Sequence, residues 1–292
     1  MNLTRLLCLA LPLAVCAETA EATTLAQIRD RGFMVAGIVA EQSVFGGAAD
    51  GKAGGFDGAL IDGLAKSVPF QIHQQVIARD DLEAALRDGT IDIVASAVEV
   101  TAPRQTTISF TAPVAEATRY YLKRKGDGRI KAIGDLGGKP FGSRSSSNGL
   151  PELTEFEHRL AKAGGALGEG TEYPTYQDAA KNLVAKKIDY VIGDLADLRV
   201  AVQDDPNDLE IGEAVSQKIY VAWATAKDSP EIAGLVSDYL AQARKSGELQ
   251  ALQTKFLGGR NDELPENVAA KDWWAARDKP AVFPIPTVKD PD

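Results

Sequence analysis

From Thr24 onward, short apolar runs alternate with stretches whose apolar residues recur every three or four positions. That pattern builds a mostly parallel sheet with helices on its faces, so the fold class is α/β. Phe33 to Val39 predicts a first strand and Asp50-Gly51 a tight turn. Leu60, Ile61, Leu64 and Val68 then recur at helical spacing, with Asp57 placed as the N-cap. A second helix is predicted from about Asp81 to Arg87, with Leu82, Ala85 and Leu86 facing inward and Asp80 or Asp81 capping it. It passes through Asp88-Gly89 into a short apolar strand carrying Ile91, Ile93 and Val94.

A similar unit recurs downstream. Tyr176 to Lys187 predicts a helix capped by Thr175, and Ile188 to Ile192 a strand that ends at Gly193-Asp194. The segments LRDGTIDIVAS and LVAKKIDYVIG share one order: helix, short turn, Ile-Asp, apolar strand. Two lobes of related construction would produce this, and so would any pair of α/β units. Tyr220 to Ala226 reads as another strand, and Pro230 to Phe256 as two helices parted by Gly247 and closed by Gly258-Gly259. The tail from Arg260 onward, with Trp273-Trp274, is expected to lie extended over the body, the tryptophans docking on it or marking a partner site.

The start of the chain has a different pattern. Arg5, an apolar run from Leu6 to Ala17 and the small-x-small site Ala20-Glu21-Ala22 make residues 1–22 a secretory signal peptide. Cys16 resembles a lipoprotein cysteine, but Val15 stands where a small residue is wanted. Both cysteines, Cys8 and Cys16, lie inside this leader, so the mature chain has no thiol and disulfide or thiolate chemistry is excluded. A formal net charge of −9 argues against a nucleic-acid partner.

Chemistry concentrates in Leu86 to Phe110, where Thr101 stands three residues ahead of Arg104 near a predicted helix start. A guanidinium offers a planar fork of donors matched to a carboxylate, and a hydroxyl with free amides at a helix start completes the shell. Arg104 pairing with Glu99 or Asp92 as a purely structural ion pair is the competing reading. Enzyme signatures are weak. His73 and His158 are the only histidines and sit in no triad or zinc spacing, no P-loop occurs, and Gly54-Gly55-Phe56-Asp57-Gly58 lacks the order of a dinucleotide turn. No catalytic residue, metal or cofactor is expected.

Five segments in order, GFDGALIDGLAK (residues 55–66), LRDGTIDIVASAVEVTAPRQTTISFTAPV (86–114), FGSRSSSNG (141–149), YQDAAKNLVAKKIDYVIGD (176–194) and SGELQALQTKFLG (246–258), resemble the periplasmic solute-binding proteins of ABC importers for polar amino acids, extracellular solute-binding protein family 3. The resemblance covers about Thr24 to Gly259. It implies a periplasmic-binding-protein-like fold of two α/β lobes joined by two crossover strands, with the ligand clamped in the cleft between them. The first lobe would hold residues 23–116 and 220–259, the second 117–219 with the hinge segments, leaving 260–292 as an extended tail.

Carried over by position, Arg104 is similar to the family arginine on the ligand α-carboxylate, and Thr101 to the residue beside it. Ser147 and Asn148 fall where further donors to that carboxylate are usual, Asp194 where an acid takes the ligand ammonium, and Ser96 where a backbone carbonyl assists. Glu99 departs from the family pattern, standing where a small polar residue is usual and where it would offset part of the attraction of Arg104. Gln42 replaces a frequent aromatic lid, Arg79 a frequent pocket residue, and Phe45 is the nearest remaining aromatic. Val39 in place of an acid disfavours lysine or arginine as ligand. The function implied is periplasmic capture of a small amino acid or related carboxylate by a monomer and its delivery to an inner-membrane ABC permease. The alternatives are a partner or sensor protein of the same fold that transports nothing, as with quinoprotein dehydrogenases, and a cyclohexadienyl-dehydratase-like lyase.

Overall fold

A computed structural model of the chain describes residues 22–40, 43–144 and 150–268. Residues 1–21 of the predicted leader, Gln42, Ser147, Asn148 and Trp273-Trp274 lie outside the described residues. The body opens with α1 (Leu25–Arg31), capped by the Thr24–Gln27 capping box and stopped by Gly32 at φ 78°. Strand β1 (Phe33–Val39) follows over the predicted range, then a hairpin of β2 (Ala48–Ala49) and β3 (Lys52–Ala53) whose corner residues Asp50 and Gly51 both take positive φ. Next come α2 (Gly55–Ser67), β4 (Gln71–Ile77), α3 (Leu82–Arg87), β5 (Ile93–Glu99), α4 (Ala102–Thr107), β6 (Ile108–Phe110) and β7 (Ala115–Glu116).

The chain then leaves to build a second sheet: β8 (Arg119–Arg124), β9 (Phe141–Arg144), α5 (Leu150–Lys162), β10 (Gly170–Tyr173), α6 (Tyr176–Val184), β11 (Tyr190–Asp194), α7 (Leu195–Asp204) and β12 (Leu209–Ala214). It returns to the first sheet as β13 (Tyr220–Ala226) and ends in α8 (Pro230–Ser246) and α9 (Glu248–Leu257), divided by Gly247 at φ 85°.

The first sheet runs β4-β1-β5-β13-β6, with β7 also paired to β13; the second runs β10-β9-β11-β8-β12. Each sets three parallel strands beside an antiparallel one, β13 against β5 in the first sheet and β8 against β11 in the second. The two Ile-Asp segments therefore occupy equivalent places. Asp92 accepts from Val35 N and pairs with Arg31, while Asp189 pairs with Arg124 and Arg129. Two α/β lobes result, each with apolar clusters on both sheet faces. Trp223, Phe56, Leu60 and Val236 pack on one face of the first sheet and Leu86, Ile91 and Val98 on the other. In the second lobe Leu122, Leu183 and Leu198 face Tyr121, Phe141 and Phe156 across the sheet.

Two local expectations are corrected. Gly54 is the N-cap of α2, and Asp57 is its third residue, buried, accepting from Trp223 Nε1 at 3.0 Å and Ala97 N at 3.1 Å. Gly54 can take this place because Gly55 at φ 63° folds the chain tightly under the hairpin. Helix α6 ends at Val184, three residues early, because Lys186 turns the chain at φ 61°, and β11 starts at Tyr190.

Candidate functional site

The two sheets are joined where the outgoing and returning chains lie side by side. Ala117 N donates to Ile219 O (2.8 Å), Ile219 N to Thr118 Oγ1 (3.1 Å), and Val215 N to Arg119 O (2.8 Å). Arg119, the first residue of β8, stands directly opposite Asp194, the last of β11, in the antiparallel ladder. Cross-strand partners present their side chains on one face, so the register itself pairs the two charges. Arg119 forms an ion pair with Asp194 through Nη1, donates from Nη1 to Ala117 O (3.1 Å), and from Nη2 reaches Glu99 Oε1 at 2.7 Å. Glu99 closes β5 of the other sheet. Only 5% of the Arg119 side chain is exposed, against 16% for Glu99 and 14% for Asp194. Asp194 is also the N-cap residue of α7, yet its side chain makes no capping bond, being turned to Arg119.

Thr101 caps α4 by accepting from Arg104 N at 3.4 Å, with Pro103 in the first turn. The Arg104 guanidinium donates from Nη1 to the Glu99 carbonyl oxygen (3.2 Å) and has its Nε 3.9 Å from Glu83. The structural ion pairs weighed from sequence do not form: the Glu99 carboxylate goes to Arg119 and Asp92 to Arg31. Arg104, Glu83 and Arg79 border a crevice of about 30 Å³ over Val94 and Val98.

A further group surrounds these charges on the second lobe. Arg144, ending β9, lies over the Tyr176 ring at 5.4 Å. Asp197, in the first turn of α7, is 7% exposed. Burial pushes its carboxyl up to about 6, while Arg144 and Arg119 pull it down. Tyr176 is pushed up to about 12 by burial and feels Arg119, Asp197, Arg144 and Glu99. Three arginines and three carboxylates thus gather where the lobes adjoin, an arrangement that can orient a small charged solute.

The structure joins Arg104 and Thr101 to Glu99, and Glu99 through Arg119 to Asp194. Ser96 is buried, its Oγ accepting from Val39 N at 3.2 Å. Phe45 is buried too, edge-on to Phe56 at 6.2 Å. Arg79 sits in the turn before α3. Sequence reasoning missed Arg119, Arg144 and Asp197. One signal for Arg119 existed: Glu99 in place of a small residue needed a counter-charge, and Arg119 is the first cation after Arg104.

Among the described residues no group of three or more His, Cys, Asp or Glu side chains is placed to hold a metal ion, and no helix is long and apolar enough to cross a membrane. The chain is 27% identical over 240 residues to the L-cystine-binding protein TcyJ of Escherichia coli (strain K12), covering 80% of this chain and 86% of that one. Among solved structures it is similar to YckB of Bacillus subtilis (TM-score 0.70, 19% identity, 85% of this chain and 98% of that one). It is also similar to an ancestral cationic amino acid solute-binding protein (TM-score 0.66, 23% identity, 80% and 100%), which is described as a precursor of cyclohexadienyl dehydratase. These share the periplasmic-binding-protein-like fold, and the relatives matched by sequence are named as binding proteins, not enzymes. Residues 35–259 match one family throughout, and on that span the chain belongs to the bacterial extracellular solute-binding proteins, family 3.

Proposed function

We propose that the mature protein captures a small amino acid or related carboxylate between its two lobes and delivers it to an inner-membrane ABC permease. The observation that carries this reading is the convergence of Arg104, Glu99, Arg119 and Asp194, contributed by both sheets, on one place beside the paired crossing strands. Residues 23–116 with 220–259 act as one lobe and 117–219 as the other, and closure brings Asp194 towards the far polar end of a ligand whose carboxylate is already held by Arg104 and Thr101. Ser96 lines the same region, with Ser147 and Asn148 as added donors, Arg79 and Gln42 at the rim and Phe45 packed behind it on Phe56. Residues 1–22 direct export and are removed, so that a monomer works in the periplasm. The named binding functions of the relatives support capture, and TcyJ gives the amino-acid class a precedent. Thermal-shift measurement against a panel of amino acids and small carboxylates, followed by small-angle scattering with and without the best binder, tests it. A stabilised and more compact protein is expected; no shift with any compound sinks it.

A further inference from the structure

We propose that Arg119 sets the ligand class of this cleft: by holding Glu99 and Asp194 it takes, from within the chain, the place of a ligand's ammonium group, so the solute is a small carboxylate without an amine, such as a 2-hydroxy acid. This rests on the solute-capture reading and narrows it.

A guest ammonium in a partly desolvated cleft needs a carboxylate whose charge is not already spent. Glu99 and Asp194 both spend theirs on one guanidinium, through Nη2 and Nη1 respectively. Arg119 cannot step aside cheaply. Its side chain is 5% exposed, its Nη1 also donates to Ala117 O, and its backbone is fixed on both sides, N to Ser216 Oγ (3.0 Å) and O from Val215 N (2.8 Å). Displaced by an incoming amine, the guanidinium would be left buried without its counter-charges. The third acid, Asp197, already feels the charges of Arg144 and Arg119.

A carboxylate meets a different situation. Arg104 commits one Nη1 hydrogen to the Glu99 carbonyl oxygen and sets Nε 3.9 Å from Glu83, too far for a hydrogen bond, so Nη2 and the second Nη1 hydrogen remain to meet a carboxylate, on a side chain 30% exposed. A hydroxyl in place of the ammonium asks only for a hydrogen bond, which a second oxygen of Glu99 or Asp194 can accept with no change in the charge balance.

The test measures dissociation constants for matched pairs differing only in amine against hydroxyl: L-alanine and L-lactate, L-aspartate and L-malate, L-glutamate and 2-hydroxyglutarate, L-phenylalanine and phenyllactate. Wild type is expected to favour the hydroxy acid of any pair it binds by about tenfold or more, Arg119→Gln to shrink or invert that ratio, and Arg119→Lys to keep its order. A purely structural role for Arg119 would lower affinity for both members alike. An amino acid preferred by wild type, or an unchanged ratio in Arg119→Gln, overturns the inference. Should Arg119→Gln fail to fold, the wild-type ratio and Arg119→Lys decide, a lysine variant that prefers the amino acid counting against it. Binding of neither member of any pair sinks solute capture itself and this inference with it, whereas an amino-acid preference sinks the inference alone.

Discussion

Glu99 Oε1 and Arg119 Nη2 meet at 2.7 Å between two sheets that share no strand. Removing Arg119 would leave two largely buried carboxylates facing each other, so Arg119→Met should destabilise the protein by about 3–5 kcal/mol. In a double-mutant cycle, Glu99→Gln with Arg119→Gln should give a coupling energy of about 1–3 kcal/mol in urea unfolding. A coupling near zero would mean that the ion pair adds nothing to holding the lobes together.

Arg104 contributes less to the fold. It is 30% exposed, and among the described residues its guanidinium partners are one carbonyl oxygen and Glu83 at 3.9 Å. Arg104→Ala should therefore change the unfolding free energy by under about 1 kcal/mol. The same variant should weaken binding of the best carboxylate about 10- to 100-fold, the loss of one or two charge-assisted hydrogen bonds. Calorimetric titration reads the second effect, and unaltered affinity would remove Arg104 from the site.

Asp57 gives the protein a pH dependence. Burial outweighs the hydrogen bonds from Trp223 and Ala97 and raises its carboxyl to about 7, whereas the unfolded chain releases that proton near 3.8. Between those values the folded state binds more protons. Stability from this group is complete below about 4 and is lost as pH rises towards 7, at up to about 1.4 kcal/mol per pH unit. Asp57→Asn should remove that slope, as measured by urea unfolding across this range; an identical slope in the variant would assign it to other groups.

Gly58 illustrates packing that admits no side chain. A Cβ there would collide with the Ala53 carbonyl oxygen at the end of β3. Gly58→Ala should cost about 1–3 kcal/mol, because α2 would have to move off the hairpin. Thermal denaturation measures it, and a neutral effect would show that the hairpin yields freely.

Much of this architecture could be read from the chain. Strands β1 and β13 and the division between α8 and α9 matched their predicted ranges because apolar runs and a left-handed glycine are local signals. Thr101 as a helix cap was equally local. Asp57 was misplaced because its burial depends on Trp223, 166 residues away. Arg119 escaped notice for a related reason. Arg-Tyr-Tyr-Leu-Lys-Arg reads only as a strand, and what faces its first residue follows from the register of β8 on β11, which no local pattern encodes.

The interruption of the first sheet bears on how the chain acquires its shape. Strands β8 to β12 are contiguous in sequence, while the first sheet lacks its antiparallel strand until residues 220–226 arrive. During synthesis from the N-terminus, the five-stranded sheet has all its strands before its neighbour does. In the complete chain the same asymmetry persists, because pairing residues 220–226 with 93–99 closes a longer loop than any pairing within the contiguous sheet, and longer closures are entropically slower. Pulse-labelled hydrogen exchange on refolding should accordingly protect Leu122 and Val191 before Ile93 and Trp223.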